Sequence, residues 1–211
     1  MVLYLAYYTV NAVAILLTFS HWRNEPNSLR YQWIYLLANL SSELYINQGP
    51  VKVDYTYVYN IIVIIECIFY GWLVGSQYRS MYARRVTYVS VGLFVILGFV
   101  NLILLNSLLS YNYYFLLRCF LFIIITGWYY YELYTSQSIT LVTSLPSFWI
   151  CSGFFIFCMG SFFVMGLYAL IRHEDQALAD MLYVAIIPSL NIVLYTSYIA
   201  ATLCNRAKHN S

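Results

Sequence analysis

Seven stretches of the chain are predominantly apolar, at about 2–20, 31–48, 54–77, 86–109, 111–134, 147–171 and 180–204. Each is roughly 17 to 25 residues, and at about 1.5 Å of rise per residue such a run crosses the ~30 Å hydrocarbon layer as a helix. A membrane barrel would instead show runs near about ten residues with strict alternation of apolar and polar positions. The pattern therefore predicts an all-α, polytopic seven-helix bundle. Gln32, Asn39, Ser41, Ser42, Glu43 and Asn47 interrupt the second run, so a re-entrant or buried segment is its alternative reading. The first run begins apolar at Val2, with no basic region or small-residue cleavage site, and is read as a retained helix. No linker, repeat or low-complexity tract divides residues 1–211, which are treated as one transmembrane domain.

Composition sharpens this picture. Hydrophobic residues make up 63% and charged residues 9%, against roughly half and a quarter in soluble domains, so the lipid bilayer is the expected environment. The 24 Tyr and 5 Trp suit the boundary between lipid and water. Too little chain remains between the runs for a soluble catalytic domain, and no GxGxxG, Walker-type or basic-aromatic tract points to nucleotide or nucleic acid.

Orientation follows from Lys and Arg. Arg23, Arg30, Arg79, Arg84, Arg85, Arg206 and Lys208 fall on one side of the seven-span arrangement, and only Lys52 and Arg172 on the other, where the loop from His173 to Asp180 is acidic. The positive-inside bias puts the N-terminus outside and the C-terminus inside, with a bacterial inner membrane as the expected location. Cys67, Cys119, Cys151, Cys158 and Cys204 lie within or at the ends of helices and read as small packing residues rather than a disulfide framework. Gly71 and Gly75, and Gly153 and Gly160, are spaced for close approach between helices of the same chain.

Three charged residues lie within the hydrocarbon layer, away from the ends of the runs: Glu43, Glu66 and Arg118. Each costs at least about 2.5 kcal/mol to insert, which makes it a functional candidate. Counted inward from the outer ends, Glu66 lies about 16 Å deep, Arg118 about 10 Å and Glu43 about 7 Å. Gln32, Asn39, Glu43 and Asn47 share one face of the second helix, and Tyr59 and Glu66 share one face of the third. Asn101 comes from the fourth helix and Asn191 from the seventh, just after Pro188, whose ring removes a backbone hydrogen bond. These residues predict an outward-opening polar chamber in which Arg118 pairs with Glu43 or Glu66 and one carboxylate remains in surplus. The chamber would take a proton or a small polar or cationic ligand; a network that only locks the bundle is the competing reading. Glu132, among Tyr129, Tyr130, Tyr131 and Tyr134, reads as an acid reaching out of an interfacial aromatic belt. Pro146, Ser147 and Trp149 read as a helix start, with Ser147 as a cap.

Several activities are excluded by inventory. Lys52 and Lys208 lie in a loop and the tail, so no lysine is placed for a retinal Schiff base. His21, His173 and His209 are dispersed and cannot form an inner metal or haem cluster. No cofactor or metal is expected, and a Ser nucleophile has no base near it.

Leu40-Ser41-Ser42-Glu43-Leu44, Tyr59-Asn60 followed by Glu66, and Phe148-Trp149-Ile150 followed by Gly153 together resemble a family of small uncharacterised multi-helix membrane proteins common in Bacteroidetes. The resemblance implies an integral membrane bundle in which Glu43 and Glu66 occupy motif positions; it brings no activity with it. The leading functional expectation is a receptor-like component that binds a small ligand outside and signals to a cytoplasmic or membrane partner. A proton- or cation-coupled transporter and a structural subunit of a membrane complex are the alternatives, and an intramembrane enzyme stands last.

Overall fold

The computed structural model describes residues 2–22, 30–48, 56–104, 111–135 and 142–209. They form seven α-helices: α1 (Val2–His21), α2 (Gln32–Gln48), α3 (Thr56–Gln77), α4 (Met81–Ile103), α5 (Tyr111–Thr135), α6 (Pro146–Glu174) and α7 (Gln176–His209), with a 3-10 turn at Val142–Ser144. Six of them, all but α2, are long and apolar enough to cross a membrane, which marks the chain as a membrane protein. The exposed large side chains, among them Leu5, Leu93, Ile96 and Leu170, are the apolar ones that lipid accepts.

Six helices close a ring. α1 packs on α2, α2 on α3, α3 on α5, α5 on α6, α6 on α7, and α7 returns to α1. α4 stands outside this ring and touches only α3 and α5. Glycines bring neighbouring helices together: a Cβ on Gly71 would sit 2.7 Å from both methyls of Val91 on α4, and one on Gly160 would sit 2.6 Å from Leu190 on α7. Close packing between helices replaces the hydrophobic drive that lipid cannot supply.

A ring of six helices leaves an axis to fill, and rings of aromatic side chains fill its middle. Tyr35, Tyr70, Phe122, Phe154 and Tyr198, one from each of α2, α3, α5, α6 and α7, are at most 5% exposed. Tyr70 stacks on Phe154 with centroids 3.5 Å apart, and Phe122 meets Phe154 edge-on at 5.0 Å. The Tyr198 hydroxyl donates to Tyr70 at 2.9 Å, so the polar tips are satisfied inside the plug.

Three local expectations change. α4 begins at Met81 rather than near 86, because Ser80 caps it by accepting from the Ala83 N–H at 3.4 Å. Arg84 and Arg85 thus belong to its first turns. The segment from His173 to Asp180 is not a loop: α6 runs to Glu174, and Asp175 accepts from Leu178 N–H at 3.0 Å to start α7 at once. Ser147 is not the cap of α6, because Pro146 occupies the first helical position and shifts the cap to Leu145; its hydroxyl accepts instead from Tyr129 at 3.2 Å.

Glu132 also has a more specific place than an interfacial belt gives it. Its two oxygens accept from the backbone N–H groups of Ser80 at 2.6 Å and Arg79 at 3.2 Å, which pins the α3–α4 turn to α5. A carboxylate on orphan N–H groups at a helix start is a charge-assisted contact. Glu132→Ala is expected to cost about 1–2 kcal/mol, read as a lower unfolding midpoint in detergent, with Glu132→Gln recovering part of the loss.

Candidate functional site

A cavity of about 250 Å³ opens at the end of the ring that carries the N-terminus, and all six ring helices line it. α1 supplies Tyr4 and Tyr7, α2 supplies Asn39, Ser42, Glu43 and Ile46, and α3 supplies Tyr59, Ile62, Val63 and Glu66. Phe115 and Arg118 come from α5, Phe157 and Met165 from α6, and Tyr183, Ile187, Pro188 and Asn191 from α7. The helical period explains the selection: Asn39, Ser42, Glu43 and Ile46 recur at three and four residues, as do Tyr59, Ile62, Val63 and Glu66, so each set forms one face. This accounts for α2. Its polar residues are tolerated because the polar face turns to the cavity and not to lipid.

An ion pair forms the inner wall. Arg118 Nη1 meets Glu66 Oε2, with Arg118 1% and Glu66 12% exposed. Glu66 Oε1 accepts from the Tyr35 hydroxyl at 2.8 Å and from Asn39 Nδ2 at 3.4 Å, and Asn39 also donates to the Tyr35 oxygen at 3.2 Å. Donors from α2 and α5 thus converge on one carboxylate of α3. The guanidinium lies 4.5 Å from the centroid of the Phe115 ring, a favourable placement for a desolvated cation. Arg118 Nε and Nη2 are buried without a hydrogen-bond partner among the described residues.

Glu43 is arranged differently. Among the described residues it has no cationic partner; its neighbours are tyrosines. It lies against the Tyr7 hydroxyl, and Tyr4, Tyr59, Tyr183 and Tyr195 stand close enough to feel its charge. Tyr7 in turn meets the Tyr195 hydroxyl at 3.4 Å. The cavity therefore holds a neutralised Glu66–Arg118 pair and one carboxylate in surplus.

Of the residues singled out from the sequence, Glu43, Glu66, Arg118, Asn39, Tyr59 and Asn191 all reach the cavity wall. Asn101 does not. It is buried on α4, and α4 contributes nothing to the wall because it packs outside the ring. Gln32 is buried on α2 but is absent from the wall, and the side chain of Asn47 lies outside the described residues. Sequence reasoning missed Tyr4, Tyr7 and Tyr183, which look like members of an interfacial belt. A signal existed for two of them: Tyr4, Tyr7 and Asn11 recur at three and four residues along an otherwise apolar α1.

Beneath the cavity lies the aromatic plug. Tyr70 is one turn beyond Glu66 on α3, Phe122 one turn beyond Arg118 on α5, and Tyr35 one turn beyond Asn39 on α2. Among the described residues no group of three or more His, Cys, Asp or Glu is placed to hold a metal ion. No family model, no curated protein and no solved structure matches this chain, so the site is read from its own residues.

Proposed function

We propose that this chain is a receptor-like membrane protein that takes a small ligand in the cavity and passes the resulting helix shift to a partner at the opposite end of the bundle. The observation that carries the proposal is a cavity built by six helices, lined by a surplus carboxylate, and closed below by a fully packed aromatic layer. A site of this form can hold a solute above a floor packed with aromatic side chains. A network that only locked the bundle would pack its charges without leaving about 250 Å³ open beside them. In this reading α2 completes the ring as a seventh span, and the distribution of Arg and Lys turns the cavity to the outside of a bacterial inner membrane.

A transporter is the second reading, and one observation favours it. Pro188 stands in the cavity wall inside α7, where it removes a helical hydrogen bond and provides a place to bend.

The test uses the full chain in lipid nanodiscs and in sealed vesicles, with a panel of small polar, anionic and cationic solutes. A ligand present at 100 times its dissociation constant is expected to stabilise the fold by about 2.7 kcal/mol, seen as a raised unfolding midpoint. Binding without accumulation in vesicles supports the receptor reading, and accumulation supports the carrier. A panel that never raises the midpoint overturns both.

A further inference from the structure

We infer that the ligand of this cavity is an organic ammonium ion, its positive nitrogen held at Glu43 among Tyr4, Tyr7, Tyr59 and Tyr183 and its alkyl groups laid against the apolar wall. The inference rests on the cavity being a ligand site, as proposed above, and specifies what it selects.

Charge excludes an anion first. Among the described residues the only guanidinium in the wall is already matched by Glu66, and the remaining formal charge is the carboxylate of Glu43. An anion entering here would meet the like charge of Glu43, and the described wall offers it no unmatched cation.

Wall chemistry then separates an organic cation from a metal ion. Calcium or magnesium needs about six or more oxygen ligands at short range, whereas Val63, Phe157, Met165 and Ile187 supply no oxygen to part of the wall. A small hydrated ion would lose water against these side chains without replacement. An ammonium carrying methyl or longer alkyl groups loses little, because those groups prefer the apolar surface.

The aromatic component gives the recognition its positive character. Four tyrosines from α1, α3 and α7 line the cavity around one carboxylate on α2. Aromatic rings around a substituted ammonium attract it through their electron-rich faces, and the attraction grows when water is excluded. The mixture of one carboxylate with several tyrosines suits a bulky monocation better than a neutral solute, which would leave Glu43 desolvated and uncompensated. The volume of about 250 Å³ lies just below the usual ~300–1,000 Å³ range of ligand pockets, which limits the guest to a small head group.

Choline and tetramethylammonium are the probes, with 3,3-dimethyl-1-butanol as the uncharged isostere of choline and sodium chloride at matched ionic strength as the ion control. Each is titrated against the full chain in nanodiscs by calorimetry and by the unfolding midpoint. The expected result is saturable binding of choline or tetramethylammonium, with no saturation by the isostere or by sodium. Glu43→Gln is expected to weaken binding by at least about tenfold. Tyr59 is 36% exposed and can be changed without emptying the core. Tyr59→Phe should keep the affinity, and Tyr59→Leu should lower it severalfold, a distinction that a purely structural role would not produce.

The inference is overturned if the isostere binds as well as choline, if sodium saturates the same site, or if Glu43→Gln and Tyr59→Leu leave the affinity unchanged. Should Glu43→Gln fail to fold, the isostere comparison on the unaltered protein and the Tyr59 series decide the matter. If another solute of the panel binds and neither ammonium does, the cation inference fails while the receptor reading stands. If nothing binds, both fail.

Discussion

Arg118→Met is expected to destabilise the bundle by about 3–5 kcal/mol, because it leaves the Glu66 carboxylate buried without its counter-ion. The cost does not measure the worth of the ion pair. It measures the penalty of an uncompensated charge at a wall where Glu66 is 12% exposed and, without Arg118, keeps the neutral donors of Tyr35 and Asn39. Arg118 also lies at the Phe115 ring, and Met keeps much of the packing volume, which confines the loss to charge. The double variant Arg118→Met with Glu66→Gln should recover most of the stability, since both charges leave together. Reversible unfolding in mixed detergent, followed by circular dichroism, gives the cycle. A single variant as stable as the parent would mean that Glu66 is solvated and the inner wall is wrongly described.

A loss of similar size is expected for Tyr70→Ala, about 3–5 kcal/mol. The side chain is 1% exposed, stacks on Phe154 and accepts from Tyr198. Truncation opens a void in the aromatic plug and leaves the Tyr198 hydroxyl without its acceptor. Tyr70→Phe separates the two effects: it keeps the ring and removes the hydroxyl, for a cost of about 1–3 kcal/mol. The pair of midpoints distinguishes a plug held by packing from one held by its hydrogen bond. Comparable losses in the two variants would contradict the packed floor described above.

The sequence is informative where one physical demand dominates. Long apolar runs reveal α1, α3, α5 and α6 to within a few residues, because the thickness of the hydrocarbon layer sets their lengths. α2 is legible through its polar stripe, since a face carrying Asn39 and Glu43 must turn away from lipid. Glu66 and Arg118 stand out for the same reason, and the structure joins them. Which helix is left outside the ring is a matter of packing between elements, not of any local pattern. Asn101 therefore looked equivalent to Asn39 in sequence, yet α4 carries it away from the cavity. Of the cavity's tyrosines, Tyr59 shows through its shared face with Glu66, whereas Tyr4, Tyr7 and Tyr183 are hidden by abundance, since a residue suited to the membrane boundary looks the same when it lines a chamber. Glu132 was hidden for a different reason: its partners are backbone N–H groups at Arg79 and Ser80, and side-chain patterns do not display them.

The cavity opens at the N-terminal end of the ring and has a packed aromatic floor. Cysteine labelling in intact membrane vesicles of known sidedness tests it directly. Cys67, Cys119, Cys151 and Cys158 are buried, and Cys204 is only half-buried, so Cys204→Ser gives a quiet background. On that background, Ser42→Cys should react with a membrane-impermeant maleimide from the side that carries the N-terminus and from that side alone, while the four buried cysteines stay unlabelled. A Ser42→Cys variant that is protected from both sides, or labelling of Cys151 or Cys158 from the opposite side, would contradict the account.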